Sequence, residues 1–246
     1  MRKTARSSVA LAALLLAACE GVARSPAPAA ASSAPAYPLA DRPVAEIVSP
    51  VWNSPSVRDQ ADEAGQLVRA LGITAGMTVA DVGAGSGYHT TRLSPVVGPS
   101  GRVLAQDVNG PYLDDLQTSV TRAGLANVTV VRGEPDDPKL PPRSVDVALL
   151  VHMYHEVESP YAFMARLSAA MKPGGKVAVV DLDRPTHRHG TPPALLRCEL
   201  AAVGYKETAF QPLTGDIGYL AVFEPPAEPP APGAVRPCVN PNRSAG

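Results

Sequence analysis

One stretch of the chain combines a carboxylate with a run of glycines, a pattern suited to binding a ligand. Asp81 closes an apolar segment, and Gly83, Gly85 and Gly87 follow it at two-residue intervals. Because glycine has no Cβ, the backbone at these positions can adopt positive φ and lie close to a ligand. The carboxylate would repel a pyrophosphate, so the stretch favours a cationic ligand without phosphate. The alternative interpretation is a tight strand–helix turn that binds nothing.

The spacing of the same turn argues against two common nucleotide-binding motifs. A dinucleotide-binding turn reads Gly-x-Gly-x-x-Gly, whereas here the third glycine comes one residue early and Tyr88 stands in its place. The sequence also lacks the Gly-x-x-x-x-Gly-Lys pattern of a phosphate-binding loop. A nicotinamide-dependent oxidoreductase is therefore not expected.

Further carboxylates follow the next two apolar segments. Asp107 ends the predicted strand 102–107, where a carboxylate can accept two hydrogen bonds from a ribose diol. The alternative is a turn aspartate ahead of Asn109. Glu134 and Asp136 follow the third predicted strand. They are candidates to accept from an adenine amino group, or they are solvated loop residues.

The alternation of apolar and helical segments predicts the architecture. A helix is expected over residues 56–70, and a hairpin near residues 205–223 ends the folded part. Between them, the predicted parallel strands cover residues 78–82, 102–107, 127–132, 145–151 and 176–182. This order is typical of an α/β doubly wound sheet. Ligands bind such sheets at the carboxyl ends of the strands, where the acidic residues lie, so one site is expected to collect them.

Composition and charge limit the partners and divide the chain. A net charge of −1 and an aromatic content of 4% argue against nucleic-acid binding. Residues 1–19 are predicted to be a signal peptide, and residues 20–45 an Ala/Pro/Ser-rich flexible spacer. The folded domain is expected over residues 46–224, followed by a Pro-rich disordered tail over residues 225–246.

The N-terminal segment has a basic start and an apolar run that ends at Leu16-Ala17-Ala18-Cys19. The run is too short to span a bilayer. Its end resembles the lipobox of bacterial lipoproteins, which implies cleavage before Cys19 and a diacylglycerol anchor on its sulfur. The protein is then expected in the cell envelope, facing the periplasm. An ordinary secretory signal is the alternative, and the protein is cytoplasmic if the signal is not used.

Cysteine and histidine pairs elsewhere leave further alternatives. Cys198 and Cys238 form a disulfide, or Cys198 is a small buried apolar residue, which is the favoured interpretation. His187 and His189 have a spacing that a metal could use, but no further ligand lies nearby in sequence. A solvated loop is favoured there, and no metal site is predicted.

The motifs together resemble the class I S-adenosylmethionine-dependent methyltransferases. The matching segments are residues 81–87, Asp107, residues 145–148 and residues 171–175, in the family's order. The resemblance implies a seven-stranded sheet of order 3-2-1-4-5-7-6 with strand 7 antiparallel, and S-adenosyl-L-methionine as the cofactor.

The resemblance also implies roles for the acidic residues and the glycines. Gly83, Gly85 and Gly87 would face the methionine part of the cofactor, and Asp81 would orient its ammonium group. Asp107 would bind the ribose, and Glu134 or Asp136 the adenine. Pro135 departs from the pattern because it has no N–H to offer the ring.

The segment after the fourth strand is the candidate acceptor site. It contains His155 followed by Glu156, and His155 is predicted to be the general base, with His152 and Tyr154 as lower-ranked candidates. The alternative is that His155 packs at the start of the next helix. The expected acceptor is a small molecule. Because an exported domain leaves the compartment that makes the cofactor, a catalytically silent binding or scaffolding lipoprotein is the alternative function.

Overall fold

A computed structural model gives the three-dimensional structure, which describes residues 36–47 and 54–239. The predicted signal peptide and the predicted lipidation site, Cys19, lie outside these residues. Within them, no helix has the length and apolar character that crossing a membrane requires.

The centre of the fold is one seven-stranded sheet. Its strands are β1 Thr78–Val82, β2 Arg102–Asp107, β3 Val128–Arg132, β4 Val145–Val151, β5 Met171–Asp181, β6 Lys206–Pro212 and β7 Tyr219–Glu224. The strand order is β3-β2-β1-β4-β5-β7-β6. Strands β1 to β5 pair in parallel, and β7 runs antiparallel to both of its neighbours. The predicted fold class, strand order and strand direction are confirmed.

Helices cover both faces of this sheet. They are α1 Pro55–Gln60, α2 Glu63–Leu71, α3 Tyr88–Val97, α4 Gly110–Arg122, α5 Pro160–Ala170 and α6 Pro193–Ala202. Side chains along β4 alternate between two apolar clusters, with Ala148 and Leu150 in one and Val147 and Leu149 in the other. A central strand that is buried on both faces in this way explains the nearly continuous apolar run in its sequence.

The single helix predicted over residues 56–70 is wrong, because the structure divides it at Asp62. This residue has a left-handed φ of 49° and precedes α2. Aspartate tolerates that conformation better than most residues. Its carboxylate also accepts a hydrogen bond of 2.6 Å from Arg69 Nη2 in the following helix. A local break therefore separates α1 from α2.

The segment before the domain is part of the fold, although the sequence predicted a flexible spacer as far as residue 45. Arg42 is buried, and its Nε donates to Glu199 Oε1 of α6 at 2.9 Å. Its guanidinium also donates to the backbone carbonyls of Tyr154, His155 and Val157 at 3.2 to 3.3 Å. Because a buried charge needs such partners, Arg42 attaches residues 36–47 to the domain.

The described part of the predicted disordered tail also packs on the domain. Cys238 is buried and forms a disulfide with Cys198 of α6, with a Cα–Cα distance of 6.0 Å. Cys198 itself is exposed, so its favoured interpretation as a buried apolar residue is wrong. Tyr37 Oη donates to the carbonyl of Pro230 at 2.9 Å, which joins the two ends of the described chain.

Candidate functional site

The glycine turn between β1 and α3 has the backbone geometry that its sequence predicts. Gly83, Gly85 and Gly87 have φ angles of 71°, 53° and 87°. A Cβ on Gly83 would lie 2.8 Å from Met153 Cγ, and one on Gly87 would lie 2.4 Å from Leu116 Cδ1. A Cβ on Gly85 would meet nothing within 4 Å. Two of the glycines thus serve packing, and Gly85 leaves open space above the turn.

The two predicted strand-tip carboxylates have different surroundings. Asp81 is 3% exposed and accepts a hydrogen bond of 2.6 Å from Thr90 Oγ1. It is not among the residues that line the cavity described below. Asp107 ends β2, lines that cavity, and accepts from the backbone N–H groups of Gly85 and Asn109, both at 2.8 Å. Its two oxygens keep acceptor capacity for a ligand.

A cavity of about 660 Å³ lies at the carboxyl ends of the strands. Its wall is formed by the glycine turn, the tip of β2, the start of α4, the segment after β4 and residues 44–47. Polar or charged groups in this wall include Asp107, Tyr112, Asp115, His152 and Glu156. The volume falls within the usual range for sites that bind small molecules.

The structure does not bring the two predicted adenine-binding carboxylates to this cavity. The Glu134 carboxylate lies 3.3 Å from Lys139 Nζ, and Asp136 forms an ion pair with Arg166. A hydrogen bond from Arg166 lowers the pKa of Asp136. Both acids thus pair with basic side chains, Lys139 and Arg166. Pro135, which lies between the two acids in sequence, is the residue of this loop that lines the cavity.

The structure places His155, the predicted general base, away from the cavity. Its side chain is fully buried and does not line the cavity. Its Nδ1 lies 3.0 Å from Asp181 Oδ2 at the end of β5. Arg42 also binds its backbone carbonyl, at 3.3 Å. The alternative was that His155 packs at the start of the next helix; the structure places it in the short turn Tyr154–Glu156, before the helix that begins at Pro160.

His152 is the histidine of this segment that lines the cavity. It follows β4 directly and has a left-handed φ of 55°, which is uncommon for a residue with a side chain. Burial lowers its pKa below the ordinary value. The ring is therefore neutral at pH 7 and can accept a proton.

A buried charged cluster supports His152, and the sequence analysis missed it. Glu63 of α2 is fully buried; its carboxylate pairs with Arg58 and lies 2.9 Å from His89 Nε2 and 3.8 Å from His152 Nε2. Burial raises the pKa of Glu63, but its interactions with His152, His89 and Arg58 outweigh this effect and lower it strongly. Arg58 also lies over the ring of Tyr88, 3.9 Å from its centroid. The sequence signal that could have indicated this cluster is the position of Glu63 on the apolar face of α2, with Leu67 and Leu71.

Comparisons with known proteins support the predicted chemistry. Residues 79–175 match the family model described as a methyltransferase domain. Over 121 residues the chain is 27% identical to the ubiquinone/menaquinone biosynthesis C-methyltransferase UbiE of Shewanella oneidensis, covering 49% of this chain and 48% of that protein. The chain thus spans about half the length of the curated relatives it matches.

Solved structures share the fold. A SAM-dependent methyltransferase from Aquifex aeolicus has a TM-score of 0.60 and 24% identity, covering 69% of this chain and 96% of that one. The [4+2]-cyclase SpnF has a TM-score of 0.57 and 16% identity, covering 64% of this chain and 62% of that one. The solved structures thus support the fold, the family model and the curated relatives are of methyltransferases, and none of these comparisons identifies an acceptor for this chain.

Proposed function

We propose that this protein transfers a methyl group from S-adenosyl-L-methionine to a small-molecule acceptor. The observation that carries the proposal is that Gly85 donates a hydrogen bond to Asp107 and that both residues line one cavity. An open glycine turn beside a strand-tip carboxylate provides backbone approach and a diol acceptor within the same space.

The residues present fit this cofactor. Asp107 would accept hydrogen bonds from the ribose hydroxyls, and the turn around Gly85 would lie against the methionine part. Pro135 and Val108 line the same cavity and offer apolar contacts to the adenine ring, in place of the carboxylates that the sequence indicated. Asp81 would act on the ammonium group only indirectly, because its carboxylate binds Thr90 and does not line the cavity.

The bound cofactor supplies a methyl group that is already activated on a sulfonium, so the protein's task is alignment. The cavity wall would hold the acceptor nucleophile in line with the methyl group and keep water away. For an acceptor that arrives protonated, His152 is the group placed to remove the proton, since it lines the cavity and is neutral at pH 7.

Calorimetric titration of the full-length protein with S-adenosylmethionine and S-adenosylhomocysteine tests cofactor binding. Asp107→Asn should weaken binding of both by about tenfold or more, because a charge-assisted hydrogen bond contributes about 1.5 to 3 kcal/mol. Asp114→Asn, on the exposed face of α4, is the matched control and should bind as the parent does. A parent protein that binds neither compound would contradict the proposal.

We infer that the protein works in the bacterial cell envelope, anchored through lipid on Cys19. The lipobox-like end of the apolar N-terminal run supports this location, and so does the disulfide between Cys198 and Cys238, since disulfides persist in oxidising compartments. Fractionation of cells that produce Cys19→Ser tests the anchor. The variant should leave the membrane fraction, and an unchanged membrane pool would count against lipidation.

The same location favours a second candidate function, a silent methyltransferase-fold lipoprotein that binds without turnover. Incubation with methyl-labelled cofactor and a small-molecule extract of the producing bacterium separates the two candidates. Labelled product with the parent, and its loss with His152→Asn, supports the enzyme. Intact cofactor binding without any labelled product supports the binding module.

A further inference from the structure

Two histidines that are far apart in sequence meet next to the cavity. His155 lies in the short turn Tyr154–Glu156 after β4, and His189 follows the turn Thr186–Arg188 after β5. Their rings stand nearly perpendicular, with centroids 5.5 Å apart. One ligand atom each from His155, Glu156 and His189 lie within 4.8 Å of one another.

The hydrogen bonds of Asp181 orient the ring of His155. This fully buried carboxylate accepts from Thr191 Oγ1 at 2.6 Å and from the backbone N–H of Leu182 at 2.8 Å. It also lies 3.0 Å from His155 Nδ1. Because a carboxylate accepts hydrogen bonds, Nδ1 is the ring nitrogen placed to donate to Asp181. The Nε2 atom of His155 faces the opposite side of the ring and is left to bind a ligand.

Two ring nitrogens at this place, His155 Nε2 and His189 Nδ1, are buried and have no hydrogen-bond partner among the described residues. Glu156 Oε1 lies 3.9 Å from His155 Nε2. Buried polar atoms are nearly always paired, so two such nitrogens beside a carboxylate call for a ligand that accepts electron pairs.

We propose that His155, His189 and Glu156 bind a divalent transition-metal ion, with zinc as the best match. Two imidazoles and one carboxylate are a zinc-binding set that leaves a fourth position for water or another ligand. Magnesium and calcium prefer sites made wholly of oxygen atoms. The Asp181 carboxylate behind His155 corresponds to the outer partner that orients zinc-binding histidines.

The three ligand atoms, now within 4.8 Å of one another, need to move only a short distance closer to bind one ion. Ligand atoms of a tetrahedral zinc site lie about 3.3 Å apart, given zinc–nitrogen bonds of about 2.0 to 2.1 Å. Arg42 holds the turn that carries two of the ligands, through its hydrogen bonds to the carbonyls of Tyr154, His155 and Val157. Glu156 also lines the cavity, so the metal would lie at its wall. The proposal does not depend on methyl transfer.

Metal binding to the untagged full-length protein tests the site. A Cys19→Ser background removes the one cysteine outside the disulfide, and therefore a competing thiolate ligand. After treatment with a chelator, Co²⁺ is titrated and its visible absorption followed, and Zn²⁺ affinity is measured by competition with a chromophoric chelator. The parent should bind one equivalent of either ion.

Three variants locate the ligands. His189→Asn should weaken zinc binding by about 100-fold or more, since loss of even an outer-shell partner costs 10- to 100-fold. Asparagine tolerates the left-handed φ of 56° at this position, so the variant should fold. Glu156→Gln should also weaken binding. His187→Asn, at an exposed histidine two residues away, is the control and should leave binding unchanged.

Each possible result of the metal titrations either supports the site or overturns it. One bound ion in the parent and in His187→Asn, lost in His189→Asn while its metal-free unfolding midpoint is kept, supports the site. Equal behaviour of the parent and His189→Asn overturns it, whether both bind or neither does. An equal loss in His187→Asn and His189→Asn also overturns it, because binding would then belong to the loop in general.

Discussion

The carboxylate of Asp107 accepts a hydrogen bond of 2.8 Å from the backbone N–H of Gly85. The carbonyl of Gln106, one residue earlier, accepts from the N–H groups of Gly83 and Ala84 at 2.8 and 2.9 Å. The tip of β2 therefore fixes the glycine turn that follows β1 before any ligand arrives. Because a preformed turn loses less entropy on binding, this arrangement favours affinity.

Alanine substitutions in this turn should separate stability from binding. Gly87→Ala should lower the free energy of unfolding by about 2 kcal/mol, because its φ of 87° is unfavourable for alanine and its Cβ would lie 2.4 Å from Leu116. Gly85→Ala should cost only about 1 kcal/mol, since its Cβ meets no atom within 4 Å. It should nevertheless weaken cofactor binding, because the methyl group occupies space above the turn. Urea unfolding and calorimetry measure the two effects, and a larger stability loss in Gly85→Ala would contradict the packing assigned to Gly87.

Glu63→Gln should destabilise the protein in a pH-dependent manner. The pKa of Glu63 is lowered in the folded state, so its contribution is complete above the ordinary value of 4.5 and is lost as the pH falls toward the folded-state value. At neutral pH the substitution should cost about 3 kcal/mol, because it leaves Arg58 without its carboxylate in a buried site. Below pH 4.5 the difference from the parent should narrow. Urea unfolding at both pH values measures it.

The control for Glu63 is its neighbour Asp62. Asp62→Asn removes an exposed ion pair with Arg69, in which the aspartate side chain is 60% exposed. Such pairs contribute about 0 to 1 kcal/mol, so stability should change little at either pH. A pH-independent cost in Glu63→Gln, or an equal effect in Asp62→Asn, would argue against a buried ionised Glu63.

Reduction of the disulfide between Cys198 and Cys238 should destabilise the domain. The bridge closes a separation of 40 residues, for which the chain-entropy relation gives about 4 kcal/mol, and observed values are commonly about 2 to 4 kcal/mol. The Cys198→Ser/Cys238→Ser double variant should unfold at lower urea concentration than the oxidised parent. It should match the reduced parent. An oxidised parent that unfolds with the double variant would show that the bridge does not form in solution.

Arg42→Ala tests whether the segment before the domain is attached in solution. The substitution leaves Glu199 buried without its cation, which should cost about 3 to 5 kcal/mol. Arg69→Ala breaks an exposed pair and should cost about 0 to 1 kcal/mol. Thermal unfolding compares the two variants, and similar midpoints would mean that residues 36–47 contribute little to the folded state.

The fold could be predicted from local patterns because each helix or strand has a recognisable signal within a few residues of sequence. The apolar run of β4, the glycine spacing after β1 and the order of the strand motifs all act through short-range physics: burial, backbone freedom and chain direction. These local patterns were sufficient to predict that Gly85 and Asp107 lie together, since parallel strands bring their carboxyl ends to one edge of the sheet.

Side-chain partners at that edge could not be predicted in the same way. His155 is a buried neighbour of Asp181, and Glu134 and Asp136 pair with surface cations, because each side chain binds whatever long-range partner the packing provides. His155 and His189 are 34 residues apart, and only the folding of β4 beside β5 brings their nitrogens together.

The sequence by itself therefore determined the sheet and the glycine turn, which follow from periodicity and local conformation, whereas the cofactor was what the family resemblance implied. The tertiary structure decided which histidine lines the cavity, where Arg42 is buried and which cysteines pair. These depend on contacts between segments that are distant in the chain, and no local pattern encodes the distance between two such side chains.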